Sequence, residues 1–204
     1  MKVLAQIVSV VLHPLLVTTY LVLVFRFFMP GFLLVSQNNM NVIVAFVFLI
    51  TFILPAANLL VLRFFGNISS LTLYHRSERL TPFIFIGLIY VVATVFFFWR
   101  LSFLVNLNKV MLIVTVMIGI ATVVTLFFKI SIHSLAMGGV AGILLPFNQA
   151  NETGALLVPT AVALALTGAV MSARLALHAH TFREVWHGAW VGLLIGITGV
   201  ILLF

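Results

Sequence analysis

The segment from Ser172 to Gly188 holds two arginines, Arg174 and Arg183, three histidines, His178, His180 and His187, and one carboxylate, Glu184, between two long apolar runs. The whole chain of 204 residues has 10 Lys and Arg, 3 Asp and Glu and 6 His, so such a density is costly in an apolar setting unless the groups act together. His180 and Glu184 stand four apart and would share one face of a helix. A carboxylate bonded to one ring nitrogen fixes the imidazole tautomer and leaves the other nitrogen to attack an electrophile. Two further stretches repeat the theme: Lys129, Ser131 and His133 in one, His75, Arg76 and Arg79 in the other. Several fixed cations with histidines and a carboxylate suit a phosphate, whose charge grows and spreads during transfer.

The elements that must position these residues are membrane helices. The hydrophobic fraction is 64 %, charged residues make up 6 %, and mean hydropathy is +1.35, with apolar runs of bilayer-spanning length recurring along the chain. The expected fold is all-α, a polytopic transmembrane bundle of six to seven spans forming a single integral membrane domain over residues 1–204. The patterning gives spans at about 3–28, kinked near Pro14, 41–65, kinked near Pro55, 82–99, 109–128, 134–147, 156–177 and 183–204. Thr81-Pro82 reads as the cap and first residue of the third, and Asn148 to Thr153 as a polar turn. Lys2 before an apolar run resembles a signal peptide, but the run continues past His13-Pro14, so an uncleaved first span is expected. The formal charge of +7 is scattered singly at the ends of apolar runs, which argues for interface anchors and an anionic substrate and against nucleic acid. There is no cysteine, hence no disulfide and no thiolate metal site.

Counting crossings places 75–82, 129–133 and 172–187 on the same membrane face, so three separated segments can form one site. Gly138, Gly139 and Gly142 in the fifth span, and Gly188, Gly192 and Gly196 at intervals of four in the last, predict close backbone packing.

With these motifs in place the chain resembles the type 2 phosphatidic acid phosphatase superfamily, which includes lipid phosphate phosphatases and vanadium haloperoxidases. The family motifs run K-x6-R-P, P-S-G-H and S-R-x5-H-x3-D. Arg174-x5-His180-x3-Glu184 matches the third in spacing, with Glu in place of Asp. Ser131-Ile132-His133 matches the second, with Ile132 where Gly is usual and Ile130 where Pro is usual. The first is degraded: Arg79 precedes Pro82 by three, and Thr72 stands where the lysine belongs. The resemblance covers about residues 75–190. It implies a phosphatase-type helical core and a metal-independent, cofactor-free hydrolase acting on a lipid phosphate or pyrophosphate. In it His180 attacks phosphorus to form a phosphohistidine, Glu184 orients His180, and His133 protonates the leaving oxygen and later activates water. Arg174, Arg79 and Ser131 bind phosphate oxygens; beyond the resemblance, we put Arg76 or Lys129 in the place of the missing lysine. Phosphatidate, phosphatidylglycerophosphate and isoprenyl pyrophosphate all fit.

Blander roles suit other residues. His13, beside a proline in an apolar helix, is expected to be a packed, hydrogen-bonded core histidine. His75 and His178 read as interfacial, His187 as structural, Glu78 as a partner of Arg76 or Arg79, and Lys2, Arg63 and Arg183 as anchors. Against the hydrolase stands a catalytically weak or inactive relative that binds or moves an anionic lipid, favoured by the degraded first motif and Ile132. A metal-dependent oxygenase, prompted by His178, His180 and His187, ranks third. The expected location is a bacterial inner membrane, with the face of the site and homo-oligomerisation left open.

Overall fold

The computed structural model describes residues 2–70 and 78–204, without the side chains of 37 and 38. Among these the fold is all-α, and the chain partitions into two compact units: residues 1–33 with 130–204, and residues 34–129. A motif-bearing core over 75–190 therefore draws on both units.

In the first unit, α1 (Lys2–Val11) and α2 (Pro14–Phe28) meet at a 60° bend. Pro14 causes it, because it has no N–H to give Val10 and it pushes His13 out of the helical region, to φ −65° and ψ 135°. The helices α7 (Ile132–Ala150), α8 (Leu157–Ala176) and α9 (Phe182–Leu203) complete the unit. Helix α7 runs on to Ala150 with Pro146 inside it, so the expected turn at Asn148 begins three residues later.

Helices α7 and α9 lie parallel with backbones in contact. A Cβ at Gly188 would meet the Ser131 carbonyl at 2.5 Å, one at Gly192 would overlap the Leu135 carbonyl, and one at Gly196 would meet the Gly139 carbonyl at 2.6 Å. Reciprocally, Gly138 faces the Ala189 carbonyl and Gly142 the Leu193 carbonyl. Both glycine sets are therefore used against each other, as small residues are at intramembrane helix contacts. At the far end Phe25, Phe32, Phe147 and Phe204 pack ring on ring, so α2 also runs parallel to α7.

The second unit comprises α3 (Gln37–Phe48), continuing through a π-helical turn at Leu49–Ile53 into α4 (Leu54–Phe64), then α5 (Leu80–Arg100) and α6 (Val105–Phe127). The predicted kink at Pro55 takes the form of that π turn: Pro55 cannot bond the Thr51 carbonyl, which instead accepts from Tyr90 Oη at 3.3 Å. Helix α5 starts at Leu80, capped by Arg79, two residues before the Thr81-Pro82 start expected from the sequence; a proline within the first turn breaks no helical bond.

Among the described residues five helices, at 39–64, 80–100, 105–127, 157–176 and 182–203, are long and apolar enough to cross a membrane, and a sixth if α1 and α2 form one broken span. The chain is thus compatible with an integral membrane protein. Helix α7 is not among them, because His133, Pro146, Asn148 and Gln149 lower its hydropathy; it packs against α2, α8 and α9, with Leu135 and residues 137–144 all buried.

Candidate functional site

The end of the first unit where α7 and α9 begin and α8 ends gathers most of the sequence-predicted residues. Helix α8 closes in a turn that sets the Arg174-to-His180 interval. His178 takes a left-handed φ of 51°, its N–H bonds the Leu175 carbonyl at 2.9 Å, and the Ala179 N–H bonds the Arg174 carbonyl at 3.2 Å. This is a helix C-terminal motif usually completed by glycine. The expected interfacial histidine is exposed and owes its position to this turn.

Helix α9 then opens with a reciprocal cap. Thr181 Oγ1 accepts from the Glu184 N–H at 3.4 Å, and Glu184 Oε2 accepts from the Thr181 N–H at 3.4 Å. The same Oε2 accepts from His180 Nδ1 at 2.6 Å. His180 and Glu184 were expected to share a helix face; His180 instead lies ahead of the helix, and the cap folds the carboxylate back onto it. A carboxylate accepts only, so Nδ1 carries the proton and the unprotonated nitrogen is Nε2. The His180 side chain is 3 % exposed and that of Glu184 19 %.

Ser131 joins the two helix starts. Its N–H bonds the Glu184 carbonyl at 3.1 Å, and its Oγ caps α7, accepting from the Ser134 N–H at 3.4 Å and the Ser134 hydroxyl at 3.0 Å. Both serines are fully buried. With Oγ used as an acceptor, the proton on Ser131 is what remains for an anion.

His133, two residues into α7, reaches across to α1. Its Nε2 lies 3.1 Å from the Ser9 carbonyl, and a carbonyl only accepts, so Nε2 is the donor and Nδ1 is the nitrogen left for proton transfer. The carbonyl is available because of the break at Pro14. The Ser9 carbonyl would normally take the His13 N–H, which goes to Val10 at 3.3 Å. The Val11 carbonyl would take the Leu15 N–H, which goes to His13 Nδ1 at 3.4 Å; Tyr20 Oη fills that vacancy at 3.0 Å. His13 is thus the cap of α2, in keeping with a hydrogen-bonded structural histidine. Its ring also meets the His133 ring edge-on at 5.3 Å, which makes it a member of the site as well. Arg174 lies near enough to act electrostatically on both His13 and His133, and His180 on His133.

The structure therefore brings Arg174, His180, Glu184, Ser131 and His133 together and adds His13 and Ser9, which the motif spacing does not reach. A proline-broken apolar helix with a histidine at the break was the available signal for His13. Arg79 and Lys129 belong to the second unit, Arg79 buried at 5 % exposure and Lys129 half-buried two residues before Ser131. His75 and Arg76 lie outside the described residues, and so does any pairing of Glu78 with Arg76; Glu78 accepts from the Ser69 N–H at 3.3 Å and the Ser69 hydroxyl at 3.1 Å. His187 is exposed on α9.

Beside the polar cluster an apolar cleft of about 220 Å³ runs between α2, α7 and α8. It begins at Leu12, next to His13, and Met137, one turn beyond His133, and continues past Val140 to Leu144 and Val158.

Comparisons of the chain with protein-family models, curated proteins and solved structures return no match.

Proposed function

We propose that the chain is a membrane-embedded phosphatase that hydrolyses a lipid phosphate or pyrophosphate through a phosphohistidine. The observation that carries this reading is the His180–Glu184 bond of 2.6 Å, set within one cluster with Arg174, Ser131 and His133. His180 Nε2 attacks phosphorus, the bond from phosphorus to the lipid oxygen breaks, and the leaving oxygen takes a proton from Nδ1 of a His133 ring that enters the step doubly protonated, its charge paired with the bound phosphate and Nε2 still donating to the Ser9 carbonyl. Water, deprotonated by His133, then attacks the phosphohistidine, releasing phosphate and restoring Nε2. The ring of His133 is steadied by the Ser9 carbonyl, as that of His180 is by Glu184. Arg174 and the Ser131 hydroxyl hold equatorial oxygens, and the guanidinium supplies neutralising charge.

In this reading α7 crosses the bilayer beside α9, the bent α1–α2 pair counts as one span, and the bundle has seven. The site lies near the headgroups of a bacterial inner membrane, with the substrate's chain in the cleft between α2, α7 and α8. The near-complete burial of the His180 side chain favours the second reading, an inactive relative that binds or moves an anionic lipid. Release of inorganic phosphate from phosphatidate by purified protein in detergent decides between them: loss in His180→Ala with retained folding supports the enzyme, and lipid binding without release supports the binder.

A further inference from the structure

Two buried polar atoms at this end of the first unit have no hydrogen-bond partner in the structure: Ser9 Oγ and Arg174 Nε. Ser9 is 6 % exposed, and its hydroxyl does not take the usual helical alternative of bonding a carbonyl one turn back. Both residues converge on His133, Ser9 through its carbonyl at 3.1 Å and Arg174 through its charge. Helix α1 packs against α8, which carries Arg174 in its last turn. A buried donor without a partner is destabilising, and two around one histidine point to a ligand that satisfies both. Arginine Nε is a donor only and the serine hydroxyl can donate, so the ligand must accept.

We propose that Ser9 Oγ and Arg174 Nε donate to one oxyanion, so that the break in the first membrane helix forms a wall of the anion site. The ligand class is a tetrahedral phosphate, free or as a lipid monoester. The α1–α2 break presents the Ser9 carbonyl to His133 and sets His13 edge-on to the same ring, which brings a segment far in sequence from the phosphatase-like motifs into the site. This rests on reading the cluster as an oxyanion site, and it holds whether or not His180 turns the anion over.

The test is calorimetric binding of inorganic phosphate, and separately of a short-chain phosphatidate, to the full chain in detergent, with wild type, Ser9→Ala and Gly168→Ala compared. The expected result is a dissociation constant raised about 10-fold or more in Ser9→Ala for both ligands, as for a lost hydrogen bond to a charged group. Gly168→Ala, where a new Cβ meets nothing within 4 Å, should bind phosphate as wild type does. Removing an unpartnered hydroxyl should leave the melting temperature unchanged or raise it by about 2–4 °C. Equal affinity in Ser9→Ala and wild type overturns the proposal, as does a weakening seen with phosphatidate alone, which would place Ser9 against the lipid portion. Failure of wild type to bind phosphate overturns it too, and so does a melting temperature lowered in Ser9→Ala, since that would show a structural partner for the hydroxyl. Wild type that binds phosphate but releases none from phosphatidate would defeat the catalytic reading and leave this one standing.

Discussion

Replacing Gly188 with alanine should separate the two halves of the site without touching a polar group. The new Cβ would sit 2.5 Å from the Ser131 carbonyl, while ordinary contact begins at 3.4 Å, so the start of α7 must retreat from α9 by about 0.9 Å. The clash falls on backbone, which cannot swing aside as a side chain would. Ser131 N–H bonds the Glu184 carbonyl at 3.1 Å one turn before Gly188, so the retreat stretches that bond and carries Ser131 and His133 away from His180. Displacements near 1 Å in a reacting constellation cost on the order of 100-fold in rate. Overpacking of this kind also destabilises by about 1–3 kcal/mol. Phosphate release from phosphatidate and thermal unfolding, both in detergent, read the two effects. Gly168→Ala on exposed α8 is the control: a Cβ there meets nothing within 4 Å, and alanine's higher helix propensity should stabilise by up to about 1 kcal/mol with unchanged activity. If Gly188→Ala keeps wild-type activity and stability, the backbone contact does not set the site geometry and the reasoning fails.

Other expectations follow from the same contacts. Glu184→Gln preserves an oxygen for the Thr181 cap but loses the carboxylate on His180 Nδ1, so phosphate release should fall by roughly 10²–10⁴-fold with little change in melting temperature. Thr181→Ala should do the converse, lowering stability by about 1 kcal/mol through loss of the cap while activity falls far less. His178→Gly relieves a left-handed residue at about 1–2 kcal/mol against roughly 0.5–1 kcal/mol of added chain entropy, so unfolding measurements should show a gain of about 0.5–1 kcal/mol. Val162→Trp, which narrows the apolar cleft from its exposed side, should raise KM for long-chain phosphatidate and spare a short-chain analogue; equal KM changes for both would remove the cleft from the substrate path.

The helical class and each long apolar helix are legible in the sequence because bilayer-spanning hydrophobic runs declare themselves without tertiary context. The convergence of Arg174, His180 and Glu184 with Ser131 and His133 is legible from spacing and from the alternation of crossings. Its construction is not. His180 meets Glu184 through a capping box, because Thr181 folds the N-terminal residues back; a helical-face argument finds the right pair by the wrong route. The αL turn at His178 is hidden because glycine, its usual signal, is absent. Ser9 and His13 escape motif reasoning altogether, since their role depends on which carbonyls Pro14 leaves without donors and on α7 arriving to fill one. The partition of the chain is likewise invisible locally: residues 1–33 join residues 130–204 by packing across the 96 intervening positions, 34–129.

The central claim, that His180 carries the phosphoryl group, is tested most directly by trapping it. Wild type incubated with phosphatidate labelled on phosphorus and quenched in alkali, where phosphohistidine survives, should yield label on the peptide containing His180, and His180→Asn should yield neither label nor released phosphate. Phosphate release that persists in His180→Asn, or label residing elsewhere, would contradict the account.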